Sequence, residues 1–167
     1  MKISKTYTFD AAHQLVGHEG KCKNLHGHTY SVTVEIEGEQ IHNPGASDDT
    51  MVMDYGNLDI IVKPVIEQLD HAFLYGDADV GAEGLSSVYV YVNQLDLKRC
   101  YVGKRSTAEE ICYYIWGILA IGIPSSTRLT VNVSETPKTS ASYEALVGGK
   151  ILKTEPPLLW KYYGDPK

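Results

Sequence analysis

A cysteine and two histidines follow one another in the stretch GHEGKCKNLHGHTYSVTVEIEG: Cys22, His26 and His28. Another histidine, His13, closes the upstream stretch KTYTFDAAH, so with His18 four of the chain's six histidines lie between residues 13 and 28, three of them (His13, His26 and His28) at one junction. Imidazole nitrogens are good ligands for zinc-like divalent metals, and three of them leave a fourth position for water or substrate. A thiol beside such a centre can move a proton or attack as a nucleophile. The same residues also permit a closed structural site, with Cys22 or His18 as fourth ligand. Both arrangements stand at this level of reading.

Two further features carry chemistry. Glu135 ends LTVNVSE in register with Leu129, Val131 and Val133, a parity on which an acid is costly to bury unless it binds something. A carboxylate there could accept two parallel N–H bonds from a planar amide-plus-amine edge such as a guanine or pterin presents, or it could bend into water. The pair Asp70–His71 could relay protons, or His71 could simply favour the end of a helix.

The elements that must position these groups read as follows. KISKTYTFDAAH alternates, with Ile3, Tyr7, Phe9 and Ala11 on one parity, and YSVTVEIEG alternates more cleanly, with Tyr30, Val32, Val34 and Ile36 together. His13 continues the first series, and His26 and His28 continue the second. Antiparallel pairing of the two strands brings all three imidazoles to one rim of the sheet. MDYGNLDIIVKPVIEQLDH has helical period, with Leu58, Ile61, Val62, Val65 and Leu69 on one stripe, Asp54 as N-cap and a kink expected at Pro64. RSTAEEICYYIWGILAIG announces a second helix, with Ser106 and Glu109 as a capping box and Ile111, Tyr114, Ile115, Ile118 and Leu119 as its stripe. RLTVNVSE and SYEALVGGKIL read as strands, SSVYVYVNQLDL as an extra strand, and GDADVGAEG as a loop. The order strand, strand, helix, helix, strand, strand is an α+β layout with helices packed on an antiparallel sheet.

The chain has 167 residues, 43% of them hydrophobic and 22% charged, enough for one domain with a real core. A net charge of −6 argues against non-specific nucleic-acid binding. No apolar run approaches the roughly 20 residues that span a bilayer, and MKISKTYTFD lacks an apolar signal core. Three cysteines without disulfide-framework spacing fit a reducing cytoplasm; Cys112 reads as a small core residue, while Cys100 has no assigned place.

FDAAH, CKNLHGH, VMDYGNL, LDHAFL, STAEE followed by IW, and SETP resemble the 6-pyruvoyltetrahydropterin synthase and 6-carboxytetrahydropterin synthase family, in family order, over about residues 1–75 and 105–150. The resemblance implies the tunnelling fold: a four-stranded antiparallel sheet with two helices on one face, assembled as a homohexamer of two stacked trimers with active sites between subunits. It implies zinc ligands at His13, His26 and His28, catalytic roles for Cys22, Asp70 and His71, and pterin contacts from Glu135, Thr107 and Glu109. The implied activity is that of a zinc-dependent lyase, converting 7,8-dihydroneopterin triphosphate to 6-carboxy-5,6,7,8-tetrahydropterin with loss of acetaldehyde and triphosphate, on the way to queuosine-type 7-deazaguanines. The sister activity, 6-pyruvoyltetrahydropterin formation, uses the same residues, and a non-catalytic zinc-stabilised module is the alternative from another class. Lys21, Lys23 and Lys138 are triphosphate candidates by proximity to the motifs. The chain departs from the family in a stretch around 76–104 that reads as an insertion in a single domain, in an extension over 151–167, and in Ala108, where some members carry a hydroxyl residue.

Overall fold

The computed structural model describes residues 1–80 and 86–148. β1 (Lys2–His13) and β2 (His26–Glu37) form a long antiparallel hairpin, paired from Lys2 opposite Glu37 to His13 opposite His26. The alternation decides which face is buried. Tyr30, Val32, Val34 and Ile36 are at most 1% exposed, while Glu35 and Glu37 lie on the other face. β5 (Arg128–Thr136) pairs antiparallel with β2, and β6 (Thr139–Leu146) with β5. The end of the stretch SYEALVGGKIL, and the extension 151–167, lie outside the described residues.

On the other side of β1 the sheet continues with two strands that sequence periodicity misses. β3 (Ala72–Gly76) pairs parallel with β1, and β4 (Arg99–Gly103) pairs parallel with β3. The sheet therefore has six strands, in the order β4-β3-β1-β2-β5-β6, and is mixed rather than four-stranded and antiparallel. Ala72, Phe73 and Leu74 are all buried, so β3 is covered on both faces and shows no alternation to detect.

Helices α1 (Tyr55–Leu69) and α4 (Ala108–Gly122) pack beside each other on the same sheet face. Leu58, Val62, Val65 and Leu69 of α1 and Ile111, Tyr114, Ile115 and Leu119 of α4 are buried in one core with β2 and β5. Each such side chain contributes about 1.5–3 kcal/mol on leaving water. Trp116 Nε1 donates to the Leu129 carbonyl at 2.9 Å and the Cys112 thiol to Val131 at 3.1 Å, fixing α4 against β5. Cys100 is buried on β4 in the same core. Asp54 caps α1 as expected, accepting from Gly56 N at 2.7 Å and Asn57 N at 3.3 Å, and the helix continues through Pro64.

Three local expectations are corrected. The stretch read as an extra strand is a helix, α3 (Ser87–Gln94), capped by Ser86, whose hydroxyl accepts from Tyr89 N. Its Val–Tyr alternation yields to packing: Val92 turns inward and the Tyr89 ring lies 4.9 Å from that of Tyr75. Part of the region read as a loop is a single helical turn, α2 (Asp77–Val80). The capping box on α4 does not form. The N-cap is Thr107, whose side chain makes no cap bond, and the Ser106 hydroxyl is not available as a cap because it is taken by Asp79 at 2.7 Å. Among the described residues no helix is long and apolar enough to cross a membrane.

Candidate metal centre and its two flanking cavities

Hairpin register builds the centre. His13 ends β1 on the core face and is 1% exposed, and its strand partner is His26; His28 follows on the same face of β2. The ring centroids of His13, His26 and His28 lie 4.5, 5.3 and 5.0 Å apart in pairs, and one nitrogen from each falls within a 4.8 Å cluster. No side chain fits between the two β2 histidines, since a Cβ on Gly27 would stand 2.9 Å from the Ala11 carbonyl oxygen.

Two backbone carbonyls set the tautomers. His13 Nδ1 donates to Ser106 O at 2.6 Å, and His26 Nδ1 donates to Asn24 O at 2.8 Å. A carbonyl only accepts, so each neutral ring carries its proton on Nδ1 and leaves a lone pair on Nε2. Those two Nε2 atoms face each other at 3.1 Å. Two lone pairs at that distance call for a cation between them, and a tetrahedral zinc with Zn–N of about 2.0–2.1 Å separates its nitrogens by about 3.3 Å. The donor set therefore fits zinc. Burial pushes His13 down to about 4, with the neighbouring His26 and His28 charges acting the same way, and burial lowers His28 too. Near neutral pH both rings are in the form that ligates a metal. Among the described residues the cluster contains neither Cys22 nor His18. The His18 ring is engaged locally, accepting from Gly20 N at 2.8 Å.

On one side of the centre lies a cavity of about 240 Å³ whose walls include His13, Cys22, Thr107, Glu109 and Glu135. Cys22 sits in a 3-10 turn, Lys21–Lys23, with its thiol free and half-buried; the Leu15 amide donates to its carbonyl at 2.9 Å. Burial raises the Glu135 carboxyl, and the Glu109 charge raises it further. Two carboxylates facing one cavity form a strong acceptor for paired N–H donors. Ala108 also lines this cavity, while Lys21, Lys23 and Lys138 are exposed.

On the other side lies a larger cavity of about 690 Å³, lined by His28, His71, Phe73, Val92 and Lys98 among others. His71 occupies a left-handed backbone conformation, φ 55°, held by its amide donating to Asp10 O at 2.6 Å. Its Nδ1 donates to Asp70 Oδ2 at 2.7 Å, and Asp70 Oδ1 accepts from the Asp10 amide at 2.9 Å. The Asp10 amide first, and then His71, hold the Asp70 carboxyl below its usual range. Asp70 thus fixes the tautomer that leaves His71 Nε2 as an acceptor.

The structure brings His13, His26 and His28 together, and Cys22, Thr107, Glu109 and Glu135 together. It does not bring Cys22 to the Asp70–His71 pair: within one chain Cys22 and His71 line different cavities, with the histidine cluster bordering both. Sequence reasoning passed over Tyr30, whose ring packs 6.2 Å from His13 and 5.5 Å from His28. Its place in the even series after His28 was the available signal. It also passed over Ser106 as the carbonyl that orients His13, for which no local signal exists.

Comparison with known proteins gives a consistent result. The family model described as 6-pyruvoyl tetrahydropterin synthase matches residues 2–146. A Haemophilus influenzae protein named 6-carboxy-5,6,7,8-tetrahydropterin synthase is 41% identical over 144 residues, 86% of this chain and 98% of that one. A Rickettsia bellii protein of the same name is 30% identical over 118 residues, covering 69% and 77% of the two chains. The solved Plasmodium falciparum 6-pyruvoyl tetrahydropterin synthase superposes with a TM-score of 0.64 at 22% identity, over 88% of this chain and 98% of that one, and so shares the tunnelling fold.

Proposed function

The chain belongs to the 6-pyruvoyl tetrahydropterin synthase family, and on that premise we propose that it is a zinc-dependent lyase. It converts 7,8-dihydroneopterin triphosphate and one water to 6-carboxy-5,6,7,8-tetrahydropterin, acetaldehyde and triphosphate, as a step towards queuosine-type 7-deazaguanines. The relatives named 6-carboxytetrahydropterin synthase support this branch. The observation that carries the chemistry is the three-imidazole cluster with a free thiol and two carboxylates in the adjoining cavity.

His13, His26 and His28 would hold zinc, which supplies a Lewis acid that polarises the substrate side-chain oxygens and acidifies the neighbouring C–H. Glu135 accepts the paired N–H donors of the pterin edge, and Thr107 and Glu109 complete that wall. The charged form of Glu135, disfavoured by burial, is restored once those donors face it. Cys22 and His71 exchange protons with the side-chain carbons as triphosphate leaves, Asp70 holding His71 in its basic tautomer.

Because Cys22 and His71 line different cavities of one chain, the reading includes assembly: a homohexamer, two stacked trimers, with each site shared between subunits. It also places the protein in the cytoplasm as a single synthase domain, with the segment around 76–104 as an insertion and no nucleic-acid or membrane partner. Anaerobic incubation of zinc-loaded protein with 7,8-dihydroneopterin triphosphate, followed by mass spectrometry, tests the proposal. A 6-carboxy product with acetaldehyde supports it, and a 6-pyruvoyl product reassigns the chain to the sister activity. No turnover by an intact, zinc-loaded assembly rejects catalysis in favour of a binding role.

A further inference from the structure

Outside the residues already given roles, one buried carboxylate is bonded to the segment that borders the site. Asp79 lies on α2 and is 1% exposed. Its Oδ2 accepts from the Ser106 amide at 2.6 Å, the Ser106 hydroxyl at 2.7 Å and the Gly76 amide at 3.0 Å. Its Oδ1 stands 3.4 Å from Arg105 Nε, an ion pair longer than a hydrogen bond, and the Arg105 guanidinium donates to the Val16 carbonyl.

Two of those partners, Ser106 and Arg105, lead to the site. Ser106 is fully buried, and its carbonyl accepts the hydrogen bond from His13 Nδ1. The next residues along, Thr107 and Glu109, form a wall of the smaller cavity. Val16 follows Leu15, whose amide is bonded to the Cys22 carbonyl. A carboxylate with three donors fixed on one oxygen holds its neighbours far more rigidly than a neutral acceptor does.

We infer that Asp79 is a positioning residue for the metal centre, acting through Ser106 to hold the carbonyl that orients His13. The inference rests on the proposal that the three histidines bind zinc. A group that fixes the orientation and tautomer of a ligating imidazole typically changes metal affinity by about 10–100-fold when altered. The chain thus uses a residue 27 positions from Ser106 to tune a centre built by the first hairpin.

The test compares zinc affinity, by competition with a chromogenic chelator, for the wild type, Asp79→Asn and Ser106→Ala, with thermal unfolding of each metal-free protein alongside. Asp79→Asn keeps the shape and removes the charge, and its affinity is expected to fall about 10–100-fold. Ser106→Ala removes one of the three donors and keeps the carbonyl, so a smaller loss of a few-fold is expected. The visible spectrum of the cobalt-loaded variants should shift as well, since His13 is free to rotate. A role confined to stability would lower the melting temperature and leave zinc affinity and the cobalt spectrum as in the wild type, which overturns the inference. Should Asp79→Asn not fold, Ser106→Ala decides alone, and unchanged affinity there also overturns it. A wild type that takes up no zinc rejects the metal reading itself, whereas tight binding by wild type and variants alike rejects only the role of Asp79.

Discussion

Cys22 shares its cavity with Glu135 and Glu109, so two substitutions separate chemistry from recognition. Cys22→Ala is expected to lower turnover by about 10²–10⁴-fold, the usual worth of a positioned proton-transfer group. Metal analysis of the same variant should show zinc retained, because the thiol is outside the histidine cluster. Glu135→Gln replaces a two-fold acceptor by a group that accepts once and presents N–H to N–H. A loss of about 10–100-fold in kcat/KM follows from the strength of charge-assisted bonds. His13 adds a pH signature to the metal-free protein. Burial holds it down to about 4 when folded, while in the unfolded chain it titrates near 6.5. Between those values the unfolded state binds more protons, so stability falls as the pH is lowered through that window, by at most about 3 kcal/mol from this group. Melting temperatures of metal-free protein from pH 7 to pH 4.5 check the sign, and the slope should shrink in His13→Gln.

Among the elements, the close pass of β3 against the strand-to-helix connection before α4 is the most sensitive. A Cβ at Gly76 would stand 2.3 Å from the Arg105 amide nitrogen and 2.5 Å from the Lys104 carbonyl carbon, both backbone atoms that cannot step aside. Gly76→Ala should therefore destabilise by about 1–3 kcal/mol or more, and calorimetry should find a larger drop in Tm than for Asp54→Ala, a lost cap worth about 1 kcal/mol. The elements that were legible in the sequence are those with one wet and one dry face. β1, β2 and β5 show their alternation, α1 and α4 their stripes, and the parity of His13, His26 and His28 revealed the cluster. β3 was hidden because both its faces are covered, and α3 because its alternating Val and Tyr imitate a strand until Val92 and Tyr89 are packed. The Ser106 cap failed for a reason no window could contain, a buried acid on another element.

For the whole molecule, the separation of Cys22 from Asp70 and His71 makes assembly part of the proposed chemistry. Cys22→Ala and His71→Ala should each be inactive alone. Mixed, dissociated and reassembled, they should recover up to about a quarter of wild-type activity if each site takes its two groups from different subunits. No recovery in a correctly sized assembly would show that one chain supplies both groups. The split between the cavities was not legible in the sequence, since nothing in CKNLHGH or LDHAFL says which side of the histidine cluster each will border.

The three imidazoles all precede Thr29 in a hairpin whose contacts are local, while the Ser106 carbonyl that orients His13 is made much later. At a synthesis rate of about 5–20 residues per second, the growing chain carries a complete ligand set for several seconds before its orienting acceptor exists. On the zinc reading, an ion met during that interval finds His26 oriented by Asn24 but His13 still free to turn, and would exchange more readily. On the same reading, firm retention would be a late event in the birth of the molecule, and a chain that stalls before α4 would let its ion go.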